Sequence, residues 1–286
     1  MRVYGVIGDP ISHSLSPKIH AYFAAQHNIE MAYVPFHVKG ENIRTALHGA
    51  HALDIRGINV TVPHKKAVMP FLVGLDHMAE CVDAVNTLIW KENGYVGYNT
   101  DYLGILQTLS SFDVSFEGAS VGVFGAGGSA YAACIAAASQ KAAQITIINR
   151  TMANSTILAS HVNKYYNISV TVPEKAESAE LFANFAKMDI LIQTSTVGFG
   201  DLAGLSPVDC PSLFDGVQMA FDLIYSPWET AFLRQAKEAD VPHVVNGFPM
   251  LVYQAAEAFS LWHEVKHENL PESIKILSKQ LGVYPN

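Results

Sequence analysis

Apolar residues gather in short runs along the first hundred positions, separated by longer stretches of mixed period. The runs VYGVIG (3–8), AYVPFHV (32–38) and GINVTV (57–62) predict strands, and the stretches near 17–27 and 41–52 predict helices. Such alternation argues for a parallel sheet covered by helices. The runs AVNTLIW and GYVGYNT flank the turn KENG and predict a hairpin, after which a helix is expected to start near Asp101. A second series opens at ASVGVFGAGGSA, with strands expected at 144–149, 168–172, 189–194 and 219–224 and helices filling the gaps. The tail from Phe248 predicts two helices, the second started by Pro271. Two α/β units in tandem suggest two domains with a ligand-binding cleft between them.

One strand carries unusual chemistry at its end. In INVTVPHKKA, Ile58, Val60 and Val62 alternate with Asn59 and Thr61, so the strand is expected to be half-buried. It breaks at Pro63 and delivers Lys65 and Lys66. Polar groups at a strand end are well placed for chemistry, although a basic helix start explains the same residues more simply.

Composition narrows the classes. Half of the 286 residues are hydrophobic and 15% are charged, which suits a packed globular protein. The net charge of −8, without a long basic run, makes nucleic acid and anionic membrane poor partners. Cys81, Cys134 and Cys210 are scattered, with no CxxC pair, as expected of a reducing compartment. The start of the chain has no signal-peptide pattern, and Gly, Pro or charge breaks every apolar stretch before the ~20 residues of a membrane span. A soluble cytoplasmic protein is expected.

VGVFGAGGSAYAACIAAAS has the strand, turn and helix context that gives a glycine motif meaning. Gly125, Gly127 and Ala130 fit GxGxxG/A: a tight turn, close approach of a pyrophosphate, and close helix–strand packing. The helix N-terminus offers free N–H groups and a positive dipole end to phosphate. The next strand ends TIINRT, with Arg150 and no acid. NAD sites usually carry an acid there for the ribose 2′-hydroxyl, whereas arginine suits a 2′-phosphate, so NADP is favoured. The plainer alternative is a solvated Arg150 and Thr151 as a helix N-cap.

In the first half, GDPISHSLSPKIH sets Ser14 and Ser16 before a helix expected to begin at Pro17. Their hydroxyls could hold a carboxylate, while Ser16 alone reads equally as the N-cap. Thr61, Lys65, Asn86 and Asp101 are four further polar groups near predicted strand or helix ends. If they converge, they form a hydroxyl-binding set with a Lys–Asp pair, in which the lysine donates a proton to a forming alkoxide and the aspartate orients it.

The stretches GDPISHSLSP, NVTVPHK, AVNT, NTDYLG, GAGGSA, NRT, FDLIYSPWETAFL and NGFPMLVYQAAEAFSLW, in this order, resemble the shikimate dehydrogenase family along nearly the whole chain. The resemblance implies a two-domain α/β fold. Residues 1–102 would form a parallel-sheet substrate domain completed by helices in 248–286, with a Rossmann NADP domain inserted over 103–247. It implies reversible NADPH-dependent reduction of 3-dehydroshikimate to shikimate in aromatic biosynthesis, with no metal; the sequence leaves monomer and homodimer both open. Position by position, Ser14 and Ser16 would bind the carboxylate. Thr61, Asn86, Asp101 and Gln254 would hold ring hydroxyls, with Tyr225 near the substrate. Lys65 and Asp101 would be the catalytic pair. Gly125, Ala126, Gly127, Gly128 and Ser129, with Asn149, Arg150 and Thr151, would bind NADP, and Leu223 and Gly247 would lie near the nicotinamide.

Some positions depart from the family pattern. Asn154 replaces a frequent second basic residue, Gln193 and Phe199 stand where Asn and Met are usual, and Pro249 stands where Gly is frequent. The rival readings are an NAD-preferring quinate/shikimate dehydrogenase and a non-catalytic sensor of NADP or a shikimate-like ligand. An intact Lys65–Asp101 pair argues against the sensor, and Arg150 argues against NAD. WHEVKH (262–267) matches the HExxH pattern of zinc proteases, but its charge-rich setting favours a solvated C-terminal helix. His48 and His51 lack a third ligand and read as a surface pair.

Overall fold

The structure, a computed structural model, describes residues 1–173 and 188–283. The chain divides into two compact units, Met1–Gly104 with Leu251–Leu277, and Ile105–Met250 with the residues from Ser278 onward.

The first unit holds strands β1 (Arg2–Gly8), β2 (Met31–His37), β3 (Ile55–Val60), β4 (Gly74–Leu75), β5 (Thr87–Lys91) and β6 (Gly94–Tyr98), in the sheet order β2-β1-β3-β5-β6-β4. β1 pairs parallel with β2 and β3, as the alternation predicted, but β5 runs antiparallel to β3 and to β6, so the sheet is mixed. The short link from Lys91 to Gly94 can only turn the chain back on itself, whereas a parallel return needs a long crossover. Helices α1 (Ser16–Gln26), α2 (Ile43–Ala52), α3 (His77–Val82) and the start of α4 (Asp101–Ser110) belong here.

β3 is central, ends at Val60 rather than Val62, and is buried on both faces; the expectation of a half-buried strand is thereby corrected. Asn59 is buried with its apolar neighbours, and hydrogen bonds offset its desolvation. Ile58, Val60, Val68, Val85 and Leu88 share one core cluster. Helix α8 (Phe248–His263) contributes Trp262, whose indole fills the space above Gly57 and donates to the Leu88 carbonyl at 3.0 Å. A side chain at residue 57 would collide with that ring, so Gly57 lets the helix that carries Gln254 lie close to the sheet.

The second unit is an all-parallel sheet of β7 (Ser120–Phe124), β8 (Gln144–Ile148), β9 (Ser169–Thr171), β10 (Ile190–Gln193), β11 (Met219–Asp222) and β12 (His243–Val245). Its order, β12-β11-β10-β7-β8-β9, is the doubly wound dinucleotide-binding topology, which reverses direction between β7 and β10. Helices α5 (Gly128–Ser139), α6 (Met152–Tyr165) and α7 (Ala231–Glu238) connect its strands. The helix expected between 172 and 189 lies outside the described residues. β12 and β4 were not expected from sequence, because runs this short carry no readable period.

Helix α9 (Leu270–Leu281) has Pro271 in its first turn, as expected. The HExxH pattern does not form a helical face. α8 stops at His263, and Glu264 turns into the left-handed region at φ 56°, so His267 leaves the helix axis. His267 Nδ1 instead lies 3.2 Å from His27 Nε2, and no metal-ligating cluster occurs among the described residues. His51 stacks on Trp90 at 5.2 Å and bonds the Lys91 carbonyl. No helix among the described residues is long and apolar enough to cross a membrane.

Candidate active site

Past Val60 the chain makes a tight turn, in which the His64 N–H donates to the Thr61 carbonyl at 2.8 Å and the buried His64 ring bonds the Val38 carbonyl at 2.6 Å. The Val85 N–H then ties the Lys65 carbonyl at 2.8 Å. This turn fixes the backbone from which Lys65 projects. Thr61 is held by its own N–H to the Ile7 carbonyl, and its methyl occupies the space beside Gly8. Among the described residues its hydroxyl has no hydrogen-bond partner, and the side chain is half-buried.

Lys65 Nζ meets Asp101 Oδ2 at 2.6 Å in a pair that is mostly dry. Asp101 is the first residue of α4, but it does not cap the helix. The cap-like bond comes from Asn99, whose Oδ1 accepts from the Tyr102 N–H at 3.2 Å. The Asp101 carboxylate is thus free to turn inward. Its other oxygen accepts from Asn86 Nδ2 at 2.9 Å, and the same amide nitrogen lies 3.3 Å from Gln254 Oε1. Lys65, Asp101, Asn86 and Gln254 therefore form one group, although 189 positions separate the first from the last.

The two serines exchange the duties expected of them. Helix α1 starts at Ser16, with Leu15 at the N-cap and no side-chain cap bond, so Ser16 is not the cap and Pro17 is the second residue. The Ser14 hydroxyl, for which no capping role was expected, accepts from the Ser16 N–H at 3.3 Å. Ser16 is buried. Both hydroxyls remain at a helix N-terminus, where the backbone dipole favours an anion.

In the second unit, Gly125 adopts φ 112°, and a Cβ there would stand 2.6 Å from Thr194 Oγ1. Gly127, the N-cap of α5, has nothing within 4 Å of where its Cβ would be. That open space, at the N-terminus of α5 where the helix dipole is positive, suits a pyrophosphate. Ala126, Gly128 and Ser129 line the same turn, and Ala130 is fully buried against the sheet. At the end of β8 the Asn149 amide donates to the Thr151 carbonyl at 2.9 Å, while Arg150 is exposed and free of ion pairs to described residues. Thr151 is the N-cap of α6 by position but makes no side-chain cap bond. Asn154 is exposed in the first turn of α6 and brings no second cation.

The loop after β11 carries Leu223 and Tyr225, both half-buried. A Cβ on Gly247 would overlap the Leu223 carbonyl, so glycine is required for this close backbone approach. Asp222 braces the loop: Oδ1 accepts from the Ile224 N–H at 2.9 Å and Oδ2 from the Thr230 hydroxyl at 2.6 Å. Burial raises the Asp222 carboxyl to about 7. Gln193 is buried and braces the neighbouring loop, donating to the Val197 carbonyl and accepting from the Ser195 N–H. Phe199 is exposed. Pro249 sits in the first turn of α8, where its missing N–H costs nothing.

Sequence reasoning did not single out Asn59, Thr87, Thr100 and Tyr33, which extend the group around Asn86. Only Asn59 gave a signal, as a polar residue in a strand that proves central.

Comparison with known proteins adds an independent line. Residues 6–88 match the family described as the shikimate dehydrogenase substrate binding domain. A shikimate dehydrogenase (NADP(+)) of Caldanaerobacter subterraneus subsp. tengcongensis is 39% identical over 262 residues, 91% of each chain. One from Methanosarcina acetivorans is 38% identical over 93% of this chain and 94% of its own. The crystal structure of shikimate 5-dehydrogenase from Thermus thermophilus in complex with NADP(H) and shikimate superposes with a TM-score of 0.84 at 28% identity, covering 98% of this chain and 99% of that one. The Listeria monocytogenes enzyme in complex with shikimate and NAD gives 0.86 at 28% identity, over 97% and 96%.

Proposed function

The chain belongs to the shikimate dehydrogenase family, and on that premise we propose which of its residues carry the reaction. Its activity is the NADP-dependent interconversion of shikimate and 3-dehydroshikimate, an oxidoreduction at a ring CH–OH. The first unit is the substrate domain and the second binds the nucleotide.

Ser14 and Ser16 hold the substrate carboxylate at the N-terminus of α1, and Thr61, Asn86, Asp101 and Gln254 hold ring hydroxyls. Tyr225 completes the substrate set. Gly125 to Ser129 cradle the pyrophosphate, Asn149 to Thr151 take the adenosine end with Arg150 on the 2′-phosphate, and Leu223 and Gly247 border the nicotinamide. Bound NADPH supplies the hydride. Lys65 Nζ donates a proton to the oxygen that gains charge at the substrate carbonyl, and it takes the proton back in the oxidative direction. Asp101 holds that ammonium in place and accepts from a neighbouring hydroxyl. The buried free cysteines accord with a cytoplasmic enzyme.

The observation that carries this reading is the 2.6 Å Lys65–Asp101 contact, formed where a strand-end turn meets the first residue of a helix. The test follows reduced-cofactor absorbance with shikimate or quinate, each with NADP or NAD, for the wild type and Lys65→Ala. Turnover should be fastest with shikimate and NADP and lost in the variant, with substrate binding retained. Preference for quinate with NAD would displace the Arg150 assignment. Tight binding without turnover for any pair would make the protein a sensor.

A further inference from the structure

The Asn86 amide can take only one orientation. A backbone N–H can only donate, so the Thr100 N–H, 2.8 Å away, faces the Asn86 carbonyl oxygen. The amide nitrogen must then face Asp101 Oδ1 and Thr100 Oγ1, both at 2.9 Å, and Gln254 Oε1 at 3.3 Å. Those contacts are favourable only while the amide keeps that plane, and Asn86 is held in it from behind.

Thr87 shares that hold with Thr100, whose N–H and hydroxyl both reach Asn86 Oδ1. The Thr87 hydroxyl lies 3.0 Å from Asn86 Oδ1, an acceptor, so it donates there. With its proton so used, the same oxygen accepts from Asn59 Nδ2 at 3.1 Å. Asn59 is itself oriented, because its Oδ1 accepts from the Tyr33 hydroxyl at 2.7 Å and its nitrogen also donates to the Asn86 backbone carbonyl at 3.2 Å. The strand register creates this arrangement: Asn59 on β3 stands directly opposite Thr87 on β5. Thr87 is fully buried, so it meets protein groups alone.

We propose that Thr87, backed by Asn59, is a positioning residue for the reaction: it locks the Asn86 amide and through it sets the Asp101 carboxylate against Lys65. The inference rests on the reading of Lys65 and Asp101 as the reacting pair. The chain of bonds runs on from Asn59 to the Tyr33 hydroxyl, so the group that meets the carbonyl is backed by a frame reaching two further strands, β3 and β2. Reacting groups displaced by about an ångström lose on the order of a hundred-fold in rate, which is why a residue that never meets substrate matters here.

The test compares Thr87→Val, which keeps the shape and removes the hydroxyl, with Thr87→Ser, which keeps the hydroxyl. Per folded molecule, Thr87→Val should lower kcat about ten- to a hundred-fold and leave KM for NADP unchanged, and Thr87→Ser should recover most of the loss. Wild-type kcat in Thr87→Val overturns the proposal, as does a Thr87→Ser variant as slow as Thr87→Val. Should Thr87→Val not fold, Tyr33→Phe, which frees the Asn59 amide to turn, is expected to lower kcat with the same KM pattern, and wild-type kcat there is equally decisive against it. Lys65→Ala is assayed alongside: normal turnover there overturns the reading of the pair and the inference with it, whereas lost turnover there beside wild-type kcat in Thr87→Val overturns the inference alone.

Discussion

Lys65 Nζ lies 2.6 Å from Asp101 Oδ2, with the two side chains only 14% and 7% exposed. Each ion has lost most of its water and is held by the other, so removing one strands its partner. Lys65→Met should therefore destabilise the protein by on the order of 3 kcal/mol and cut turnover by about 10²–10³. Adding Asp101→Asn removes the stranded charge and keeps an acceptor for Asn86. Thermal melts should show the double variant regaining most of the lost stability with turnover still absent. A double variant less stable than the single would argue against a coupled pair.

Two glycines of one turn should respond differently to alanine. Gly127→Ala puts a methyl into open space at an ordinary φ of −87°, so the melting temperature should hold while KM for NADP rises about ten-fold or more, as expected of a blocked phosphate approach. Gly125→Ala meets both a left-handed backbone and Thr194, and should cost about 1–3 kcal/mol of stability. Calorimetry beside cofactor titration separates the two. Unchanged NADP affinity in Gly127→Ala would remove the pyrophosphate from this turn.

Arg150 should govern cofactor choice alone, since Asn154 supplies no second charge. Arg150→Ala is expected to raise KM for NADP about ten- to a hundred-fold, the worth of a charge-assisted hydrogen bond, and to change KM for NAD little. Asn154→Arg should tighten NADP further. Equal losses for both cofactors in Arg150→Ala would mean that the side chain serves the adenine and not the 2′-phosphate.

The histidines around the end of α8 predict acid sensitivity. Burial lowers His20 to about 3 and His263 to about 4, and it lowers His267 as well. Arg2 and His27 add repulsion at His263, and Phe23 and Phe259 pack on the rings. The folded pKa lies below the unfolded value near 6.5, so the unfolded chain binds protons first. The stability these groups contribute is complete above about pH 6.5 and is lost as pH falls toward about 4. Melting temperature should drop across that window, less steeply in His263→Phe. An identical slope in the variant would clear His263 of the effect.

The glycine turn, the hairpin and the capping proline at 271 were legible because each depends on local backbone geometry that residue type alone dictates. The mixed character of the first sheet was half legible: the hairpin was visible, but which strand it would join was not. The serines at 14 and 16 were found and their bonds misassigned, since a shift of one residue in a helix start reverses which hydroxyl faces the backbone. Asn59 was visible as a polar position and misjudged as half-exposed, because a strand's own pattern does not report whether a distant helix, here α8 with Trp262 over Gly57, will cover its other face.

Sequence by itself determined the two α/β series, the glycine turn between β7 and α5, the arginine after the second strand and the residue types available for acid–base chemistry. These follow from short-range rules of period, turn and cap. Tertiary structure alone decided that Lys65, Asp101, Asn86 and Gln254 meet, that Asn99 takes the cap and frees Asp101, and that Thr87 stands opposite Asn59. Those outcomes depend on strand order and register. Register is set by which side chains fill the core together, a property of the whole sheet that no single stretch carries.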